Sequence, residues 1–415
     1  MKKILLSLIF AIFFCEGAGA SEKVENTVSQ KFNEQEKSLI NSTELVISVD
    51  LLKDLQLKNL EFKKLKNLQI EGVIGNHPLL LYQLSLLLSK AKNLEELNFV
   101  ECELTDLPEE IKNLQNLQSL QIRYNRLTKL PEFIGDLKNL KELNVEWNQL
   151  SEIPESIGNL TQLTVLNLQG NLIKSLPESI GNLSNLIELD VGDNICLETL
   201  PESIGNLQNL KKLWVYGNHL TSLPNSVENL KNLKTLAVQN TLLTSISENI
   251  GNLENLKVLS LGYTRIKSLP ESIGKLKNLE RLYLESLELT SLPDSLRNLE
   301  SLTHLDLDGG EKGNNLTTIP ACVCDLSGLK HLSLGYNKLV SIPENIKDLD
   351  SLKDLDISYN PSLKQWPKAL EQLKNLKKLQ IDDGQEAKWA KSIKRLKRIK
   401  RKLTINIVHF GWREE

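Results

Sequence analysis

The amino-acid sequence predicts one elongated α/β solenoid of short parallel strands rather than several compact domains. The first observation is a fixed period: the pattern L-x-x-L-x-L begins thirteen times between Leu94 and Leu376, mostly at intervals of 23 residues. The second is that eleven of the 13 Pro stand at the same point of the repeat, eight of them fourteen residues after such a start and three, in copies with an insertion, fifteen or eighteen residues after it. The third is that 40% of the residues are hydrophobic but only 5% aromatic, so aliphatic side chains must fill the interior.

Length, charge and cysteine content exclude several other classes of protein. A single core rarely grows beyond about 250–300 residues, so a globular chain of 415 residues would need more than one domain. The hydrophobic share, with 25% charged residues, excludes a mostly disordered chain. A formal charge of −3 gives no overall polycation for nucleic acid. Five Cys are too few for a disulfide scaffold.

Residues 1–20 have the pattern of a secretory signal peptide. Two lysines precede an apolar run from Ile4 to Phe14, and an Ala-Gly-Ala tripeptide ends at Ala20. We expect cleavage after Ala20 and export to the periplasm, the cell surface or the medium. Lipidation at Cys15 is the less favoured alternative, because bulky Phe14 precedes it. No later stretch is apolar for 18 residues, so the mature chain is not expected to cross a membrane.

Each repeat predicts a strand followed by a turn on the opposite side. The alternating L-x-L pattern is typical of a short strand, and strands of successive copies would pair in parallel about 4.8 Å apart. Leu-Pro then begins the opposite side, where Pro suits the start of a helical turn. The copy from Leu117 shows the pattern clearly, with Leu120, Ile122, Asn125 and Leu127 in register before Leu-Pro.

This unit resembles the 23-residue leucine-rich repeat (LRR) of exported bacterial LRR proteins, Ras-associated scaffolds and plant intracellular LRR proteins. The resemblance covers about residues 60–385. It implies a right-handed horseshoe with parallel strands on the concave face and short helical or 3-10 turns on the convex face. For function it implies a binding role without naming the ligand, because one fold hosts many sites.

The resemblance also implies that the Asn after each strand faces inward and hydrogen-bonds to the backbone of the turn. Small polar residues, namely Cys102, Thr241 and Thr264, stand there in three copies, whereas Leu287 cannot make such bonds and predicts a locally looser coil. The Asn residues at this position are Asn125, Asn148, Asn171, Asn194, Asn218, Asn337 and Asn360.

The ends of the chain differ from the repeats. Residues 21–44 are polar and are expected to form a leader, and residues 45–93 an N-terminal cap with a degenerate repeat and an apolar helix or strand pair. The repeat array spans residues 94–385. Residues 386–415 predict a C-terminal cap made of a basic helix and a closing strand.

The inner-face positions are the second, fourth, sixth and seventh residues after each starting Leu, which alternate away from the core. They hold eight of the 12 Tyr and Trp, whereas proportional scatter would place only one or two there. Aromatic side chains are the usual anchors of protein interfaces, although cross-strand stacking that stiffens the sheet is the alternative. The eight are Tyr124, Trp147, Trp214, Tyr216, Tyr263, Tyr283, Tyr336 and Tyr359.

Charge on the inner-face positions is lopsided, with fourteen acidic residues against four basic ones. Such a surface repels phosphate, so nucleic acid is not expected as a partner, and it attracts a protein with a basic surface. The carboxylates that we place in the candidate site are Glu146, Glu188, Asp190, Asp306 and Asp308.

Enzyme and cofactor signals are missing from the sequence. It has no phosphate-binding glycine loop and no H-E-x-x-H motif, so we expect neither catalysis, cofactor nor metal. His304 and His331 stand one coil apart and are read as neighbouring surface residues. A four-residue insertion near Asp308 explains one 27-residue interval. Cys322 and Cys324 could form a strained disulfide or remain as two thiols.

A basic run at residues 388–402 carries nine Lys and Arg and no acid. The favoured interpretation is a capping helix with a solvated face. Weak contact with an anionic membrane or glycan through Lys391, Lys394, Arg395 and Arg398 is the alternative. Nucleic acid is least favoured, because of the export signal.

Together these patterns predict a non-enzymatic protein-binding module exported from a bacterial cell. Its partner should dock on the middle coils of the inner face, near Trp147, Trp214, Tyr216 and Tyr263. The alternative is carbohydrate or envelope-glycan binding by the same face, with the aromatic rings stacking on sugars.

Overall fold

The structure is a computed structural model that describes residues 39–409 except 56, 58, 59, 311 and 312. The predicted signal peptide, Cys15 and most of the polar leader lie outside the described residues. Sixteen described strands form one sheet in chain order, and every neighbouring pair is parallel. The sheet does not close on itself, and the predicted solenoid of parallel strands is confirmed.

The strands are three residues long in the array and five residues long near both ends. Equivalent residues pair across the sheet, as Leu213 does with Leu236, so each position of the repeat forms a column. The strands are β1 Glu44–Ser48, β2 Asn67–Glu71, β3 Glu96–Asn98, β4 Ser119–Gln121, β5 Glu142–Asn144, β6 Val165–Asn167, β7 Glu188–Asp190, β8 Lys212–Trp214, β9 Thr235–Ala237, β10 Val258–Ser260, β11 Arg281–Tyr283, β12 His304–Asp306, β13 His331–Ser333, β14 Asp354–Asp356, β15 Lys378–Asp382 and β16 Thr404–Val408.

The opposite side of most coils is a short 3-10 helix, as predicted for the convex face. All but one of these helices begin directly after Pro, and the exception, Ile250–Asn252, follows Asn249. These segments are Glu109–Asn113, Glu132–Asp136, Glu155–Asn159, Glu178–Asn182, Glu202–Asn206, Asn225–Asn229, Ile250–Asn252, Glu271–Lys275, Asp294–Asn298, Glu344–Asp348 and Lys368–Gln372. Four α-helices complete the described elements: α1 Val49–Asp54, α2 Pro78–Lys90, α3 Ala321–Cys324 and α4 Asp383–Ile399.

One continuous aliphatic core runs between the sheet and the convex turns. Each coil contributes Leu from its strand and Ile, Val or Leu from its turn, and burying one such side chain stabilises the fold by about 1.5–3 kcal/mol. A coil alone cannot cover these residues, so stability comes from stacking on its neighbours.

The asparagine column hydrogen-bonds along the core as the resemblance implied. Asn171 is representative: its amide donates to the carbonyl oxygens of Val145 and Leu168, both at 3.0 Å, and its Oδ1 accepts from the N–H of Leu150 at 3.0 Å. All seven predicted asparagines are buried. These bonds join the coil of Asn171 to the preceding coil.

The coil of Leu287 is not left without this support. Asn314 of the next coil accepts from the N–H groups of Leu287 and Leu289 and donates to the carbonyl oxygen of Leu284. The four-residue insertion moves Asn314 from the eighth to the twelfth place after Leu302, so counting along the repeat misses it. Leu287 itself is buried, and the looser coil that the sequence predicts stays a prediction.

Both ends of the core are covered by longer elements. Before the array, β1 and β2 extend the parallel sheet by two strands, and β1 begins at Glu44, the last residue of the predicted polar leader. The apolar stretch before Leu94 forms the helix α2. After the array, α4 packs Trp389, Ile393 and Leu396 onto the last coils, and β16 pairs with β15. Among the described residues, no helix has the length and apolarity to span a membrane.

Candidate functional site

The sheet presents the predicted aromatic residues on its inner face in two groups. The first comprises Tyr124, Trp147, Trp214 and Tyr216, on and after strands β4, β5 and β8, and the second Tyr263, Tyr283, Tyr336 and Tyr359, on and after strands β10, β11, β13 and β14. Four of the side chains are clearly exposed, with accessible fractions of 46% for Tyr124, 45% for Trp147, 45% for Tyr263 and 42% for Tyr336. The other four are half-buried.

Five of the eight aromatics adopt a left-handed backbone conformation, with φ between 50° and 57°. They all occupy the last inner-face position, the seventh residue after the starting Leu. Gly170 and Gly217 of other coils adopt the same conformation there, with φ of 66°. This conformation costs a non-glycine residue about 1–2 kcal/mol. The five are Tyr124, Trp147, Tyr263, Tyr336 and Tyr359. Bulky rings therefore stand where the backbone favours Gly or Asn.

The first aromatic group is seated on glycines. A Cβ atom on Gly170 would lie 2.7 Å from Cδ2 of Trp147, and one on Gly192 would lie 2.6 Å from Cζ of Tyr216. The rings of Tyr124 and Trp147 are nearly parallel, with centroids 6.4 Å apart. Trp214 carries the Lys212 ammonium 5.4 Å from its ring centroid, a cation–π distance.

The second aromatic group contains a tighter stack. The rings of Tyr336 and Tyr359 have centroids 4.2 Å apart and an interplanar angle of 28°. Beside them, a cleft of about 220 Å³ opens over strands β11–β15. Nine of its lining residues carry polar groups: Tyr283, His304, Asp306, His331, Ser333, Asp354, Asp356, Lys378 and Gln380. The predicted middle-coil residues Trp147, Trp214 and Tyr216 do not line this cleft.

Apart from Glu96 and Glu101 of the first coil, the inner-face acids fall into two patches, with an uncharged gap between them. The first, next to Trp147 and Tyr216, consists of Glu142, Glu146, Glu188, Asp190 and Asp193. The second, in the later coils, includes Glu285, Asp306, Asp308, Asp354 and Asp356. The inner-face positions of the two coils that carry β9 and β10 hold no charged residue.

Several of these carboxyl groups are partly buried, and burial disfavours their ionised form and raises their pKa. Burial raises the pKa of Asp190 to about 6, and the charges of Asp193 and Glu146 act in the same direction. Burial, helped by Asp306, raises the pKa of Glu285 to about 7. It likewise raises the pKa of Asp306, Asp308 and Asp356. A cationic partner group would relieve this cost.

Two of the predicted site carboxylates are already paired within the chain. Lys212 Nζ lies 2.8 Å from Glu188 Oε1, and Arg123 lies 3.7 Å from Glu146. Glu146 also accepts a hydrogen bond from Asn167 at 2.7 Å. Asp190, Asp306 and Asp308 form no ion pair with any described residue, although each accepts hydrogen bonds.

The His304 and His331 rings are neighbours on the sheet, as predicted, and stack with centroids 4.1 Å apart. His331 Nδ1 contacts Asp354 Oδ2 at 2.6 Å. Within the described residues there is no group of three or more His, Cys, Asp or Glu that could hold a metal ion. Cys322 and Cys324 are both buried, unbonded thiols, and burial raises the pKa of Cys324 to about 12, which suppresses its reactivity.

The prediction from the sequence missed the glycines against which the inner-face side chains pack closely. Gly170, Gly192, Gly262 and Gly335 occupy inner-face positions, and a Cβ there would meet Trp147, Tyr216, Glu285 and Asp308 respectively. The signal was available, because glycine in a strand often marks a close approach by another group. It also missed the left-handed seventh position, although Gly, Asn and Asp recur there.

The predicted basic helix, α4, keeps most of its cations on the outside. Lys391, Lys394 and Arg398 are exposed. Arg395, the fourth residue proposed for anionic contact, instead pairs with Glu371 of the preceding coil. An Asp382–Gln385 capping box begins the helix.

The repeats match known family models over most of the array. A model described as "Leucine-rich repeat region" matches residues 133–238 and 221–318. One described as "Leucine rich repeat" matches residues 92–150 and 312–361. No curated protein sequence matches the chain.

Solved structures from bacteria and plants share the architecture. An LRR protein of Leptospira interrogans has 31% identity and a TM-score of 0.72, and the match covers 90% of this chain and 98% of that one. The plant peptide hormone receptor RGFR1, solved in complex with RGF2, has 26% identity and a TM-score of 0.63, over 82% of this chain and 56% of the receptor. An internalin of Listeria monocytogenes has 21% identity and a TM-score of 0.63, and the match covers 79% of this chain and 89% of the internalin. At that identity the similarity shows the fold alone.

These matches agree with the column of leucines, the asparagine ladder and the parallel sheet. Scaffolds of this kind generally mediate protein–protein interaction and are typically non-enzymatic. The chain belongs to the leucine-rich repeat family.

Proposed function

We propose that the chain is an exported, non-enzymatic interaction protein that binds a partner protein with a basic surface on its inner face. The observation that carries this proposal is the coincidence of two costly features on one surface. Aromatic side chains occupy left-handed backbone positions there, and carboxyls with raised pKa values lie beside them. Neither feature is needed to build the aliphatic core.

The charge expected of the partner follows from acidic side chains on the inner face that have no cationic neighbour to pair with in the part of the chain that the structure describes. Asp190, Asp306 and Asp308 are partly buried acids without an ion pair among the described residues, so Lys or Arg from a partner would lower the cost of ionising them. Tyr and Trp nearby offer large apolar contact area with hydrogen-bonding edges. We therefore expect a partner that combines basic and apolar residues.

The partner must also be large. Four strand spacings separate β7, which carries Asp190, from β11, which Glu285 follows, and this distance is about 19 Å at about 4.8 Å per strand. A single small molecule cannot contact both acidic patches, whereas a protein surface or an extended segment can. The uncharged gap over β9 and β10 would face an uncharged part of that partner.

Photo-crosslinking followed by affinity measurement tests this proposal. A photoreactive amino acid placed at Trp214 should capture the partner from host or self extracts, and the same probe at exposed Tyr82 of α2 should not. With the purified partner, the double variant Trp214→Ala, Tyr216→Ala should weaken binding at least tenfold while thermal unfolding changes little. Added salt should also weaken wild-type binding.

A matched control removes apolar surface elsewhere. Tyr82→Ala with Val340→Ala truncates two exposed side chains that lie off the inner face, and it should bind as the wild type does. Equal capture by the wild type and by the Trp214, Tyr216 variant would show that the binding site lies elsewhere.

Carbohydrate binding is the second candidate for the same face. The nearly parallel rings of Tyr124 and Trp147 and the stack of Tyr336 on Tyr359 favour it, because sugars pack on exposed aromatic faces. A glycan array separates the two candidates. Tight binding of a neutral glycan, insensitive to salt and lost in Trp147→Ala, would support this candidate against a basic protein.

Export and the division of the chain complete the proposal. The lysine pair, the apolar run and the Ala-Gly-Ala end of residues 1–20 support export with cleavage after Ala20. The core coverage by α2 and α4 supports caps at residues 45–93 and 386–415 around an array at 94–385. Sequencing the N-terminus of the purified exported protein tests the cleavage site, and a start other than Ser21 contradicts it.

A further inference from the structure

The outward face of helix α4 and the lysine rim beside it form a basic surface at the C-terminal end of the solenoid. We propose that this basic end surface binds a linear anionic polysaccharide, at a site separate from the acidic inner face. It consists of Lys388, Lys391, Lys394, Lys397, Arg398, Arg401 and Lys402 on and after α4, with Lys330, Lys353 and Lys377 on the rim.

The helix is amphipathic in an unusual way. Its buried stripe is Trp389, Ile393 and Leu396, which pack onto the array. From Ala387 to Arg398 the opposite half carries cations and small residues, because Ala387 and Ala390 stand between the lysines, and acids are confined to the first turn. A helix of 17 residues is about 25 Å long at about 1.5 Å per residue, so the cations form an extended row.

The rim prolongs this row along the solenoid. Lys330, Lys353 and Lys377 each follow a starting Leu, and the backbone stacks them one coil apart. The N–H of Lys353 donates to the carbonyl oxygen of Lys330 at 2.8 Å, and the N–H of Lys377 donates to that of Lys353 at 2.7 Å. Thr404 continues the ladder by donating to Lys377 at 2.8 Å, directly after the segment that carries Arg401 and Lys402.

The positive charge of this surface is largely uncompensated. In the part of the chain that the structure describes, Arg395 pairs with Glu371 and Lys374 with Asp350, but none of the ten cations of the basic end surface takes part in an ion pair. Ten like charges on one end attract a polyanion through release of its counterions. The acidic inner face would repel the same ligand, which confines it to this end.

The absence of bulky groups selects the kind of polyanion. Proteins that hold single-stranded nucleic acid add aromatic platforms for the bases, but Trp389, the one aromatic residue of α4, is buried. Helices that bind membranes insert large apolar side chains, whereas the apolar side of α4 is already packed and only Ile399, at its last residue, is exposed and bulky. A polysaccharide with sulfate or carboxylate groups along a chain needs only the row of cations.

The test measures binding of heparin, as a sulfated polysaccharide probe, to the full mature chain by calorimetry at several salt concentrations. The variant Lys391→Gln, Lys394→Gln, Arg398→Gln, Lys402→Gln should lose at least tenfold in affinity and show a shallower dependence of log Kd on log salt. Trp214→Ala with Tyr216→Ala should bind heparin normally, so this proposal and the inner-face proposal can fail separately.

A matched control removes the same charge from other places. Lys63→Gln, Lys92→Gln, Lys129→Gln, Lys174→Gln changes four exposed lysines away from the basic end surface and should bind heparin within about twofold of the wild type. Equal losses in both variants would overturn the site, because net charge alone would then explain binding. Binding of duplex DNA or phosphatidylglycerol vesicles as tight as that of heparin would overturn the choice of ligand, as would no wild-type binding at physiological salt.

Discussion

Replacing Glu285 by Gln should stabilise the folded protein at pH 8 and leave its stability unchanged at pH 4. The pKa of Glu285 rises from its ordinary 4.5 to about 7, mainly through burial and then through the charge of Asp306. Each tenfold change in proton affinity is worth about 1.4 kcal/mol, which gives about 3 kcal/mol for this carboxyl. Solvent screening at a half-buried side chain reduces the expected gain to on the order of 1–3 kcal/mol.

The sign of the effect follows from the raised pKa. Below about pH 4.5 the carboxyl is protonated in both the folded and unfolded states, and its stabilising contribution is fully present. As the pH rises from there, the carboxyl ionises in the unfolded state but keeps its proton in the folded state, so that contribution falls and is lost once the pH passes about 7. Gln is isosteric and never ionises, so the difference between variant and wild type should grow with pH.

Urea unfolding of the wild type and of Glu285→Gln at pH 4, 6 and 8 measures this difference. Glu248→Gln, which removes the same charge from an exposed position on the convex side, should show no such trend. A variant that is no more stable than the wild type at pH 8 would refute the reasoning. Glu285→Gln should at the same time weaken binding of the basic partner above pH 7.

Two further predictions concern the buried asparagines and the glycines that contact the aromatic rings. Asn171→Leu should lower the free energy of unfolding by about 3–5 kcal/mol, because it leaves several buried backbone groups without partners; Asn171→Thr should lower it less, as Thr241 still donates to its own coil at 2.8 Å. Urea titrations measure both. Gly192→Ala should displace the Tyr216 ring and weaken partner binding, whereas Gly328→Ala, which meets nothing closer than 3.6 Å, should not.

The repeat register predicted the strands because the position of each strand is determined by the leucines of its own coil. Leucines at fixed spacing determine which residues alternate inward, so the sheet followed from one period, and the seven inward asparagines followed from the resemblance to the leucine-rich repeat. Asn314 was missed because the insertion displaces it, and only the neighbouring coil shows what it bonds to. Strand β1 was missed because residues 44–48 carry no repeat spacing and owe their place to pairing with β2.

The candidate site was harder to predict, since it depends on contacts between coils. The sequence placed Trp147 and Tyr216 on one face, but not the glycines of adjacent coils that give their rings room. It counted the acids without showing that Glu285 is buried enough to change its pKa. Such properties arise from the side chains above and below each residue, which a one-dimensional repeat does not contain.

The chain itself provides a comparison that separates folding from binding. The coils that carry β9 and β10 pair in register like the others, yet their inner-face positions hold no charge and a single aromatic residue, Tyr263. The sheet therefore forms without acidic or several aromatic side chains on this face. The unfavourable burial of Asp190 and Glu285, which raises their pKa values, contributes nothing to strand pairing. Residues that lower stability where they stand, and that the fold does not need, are best explained by what they bind.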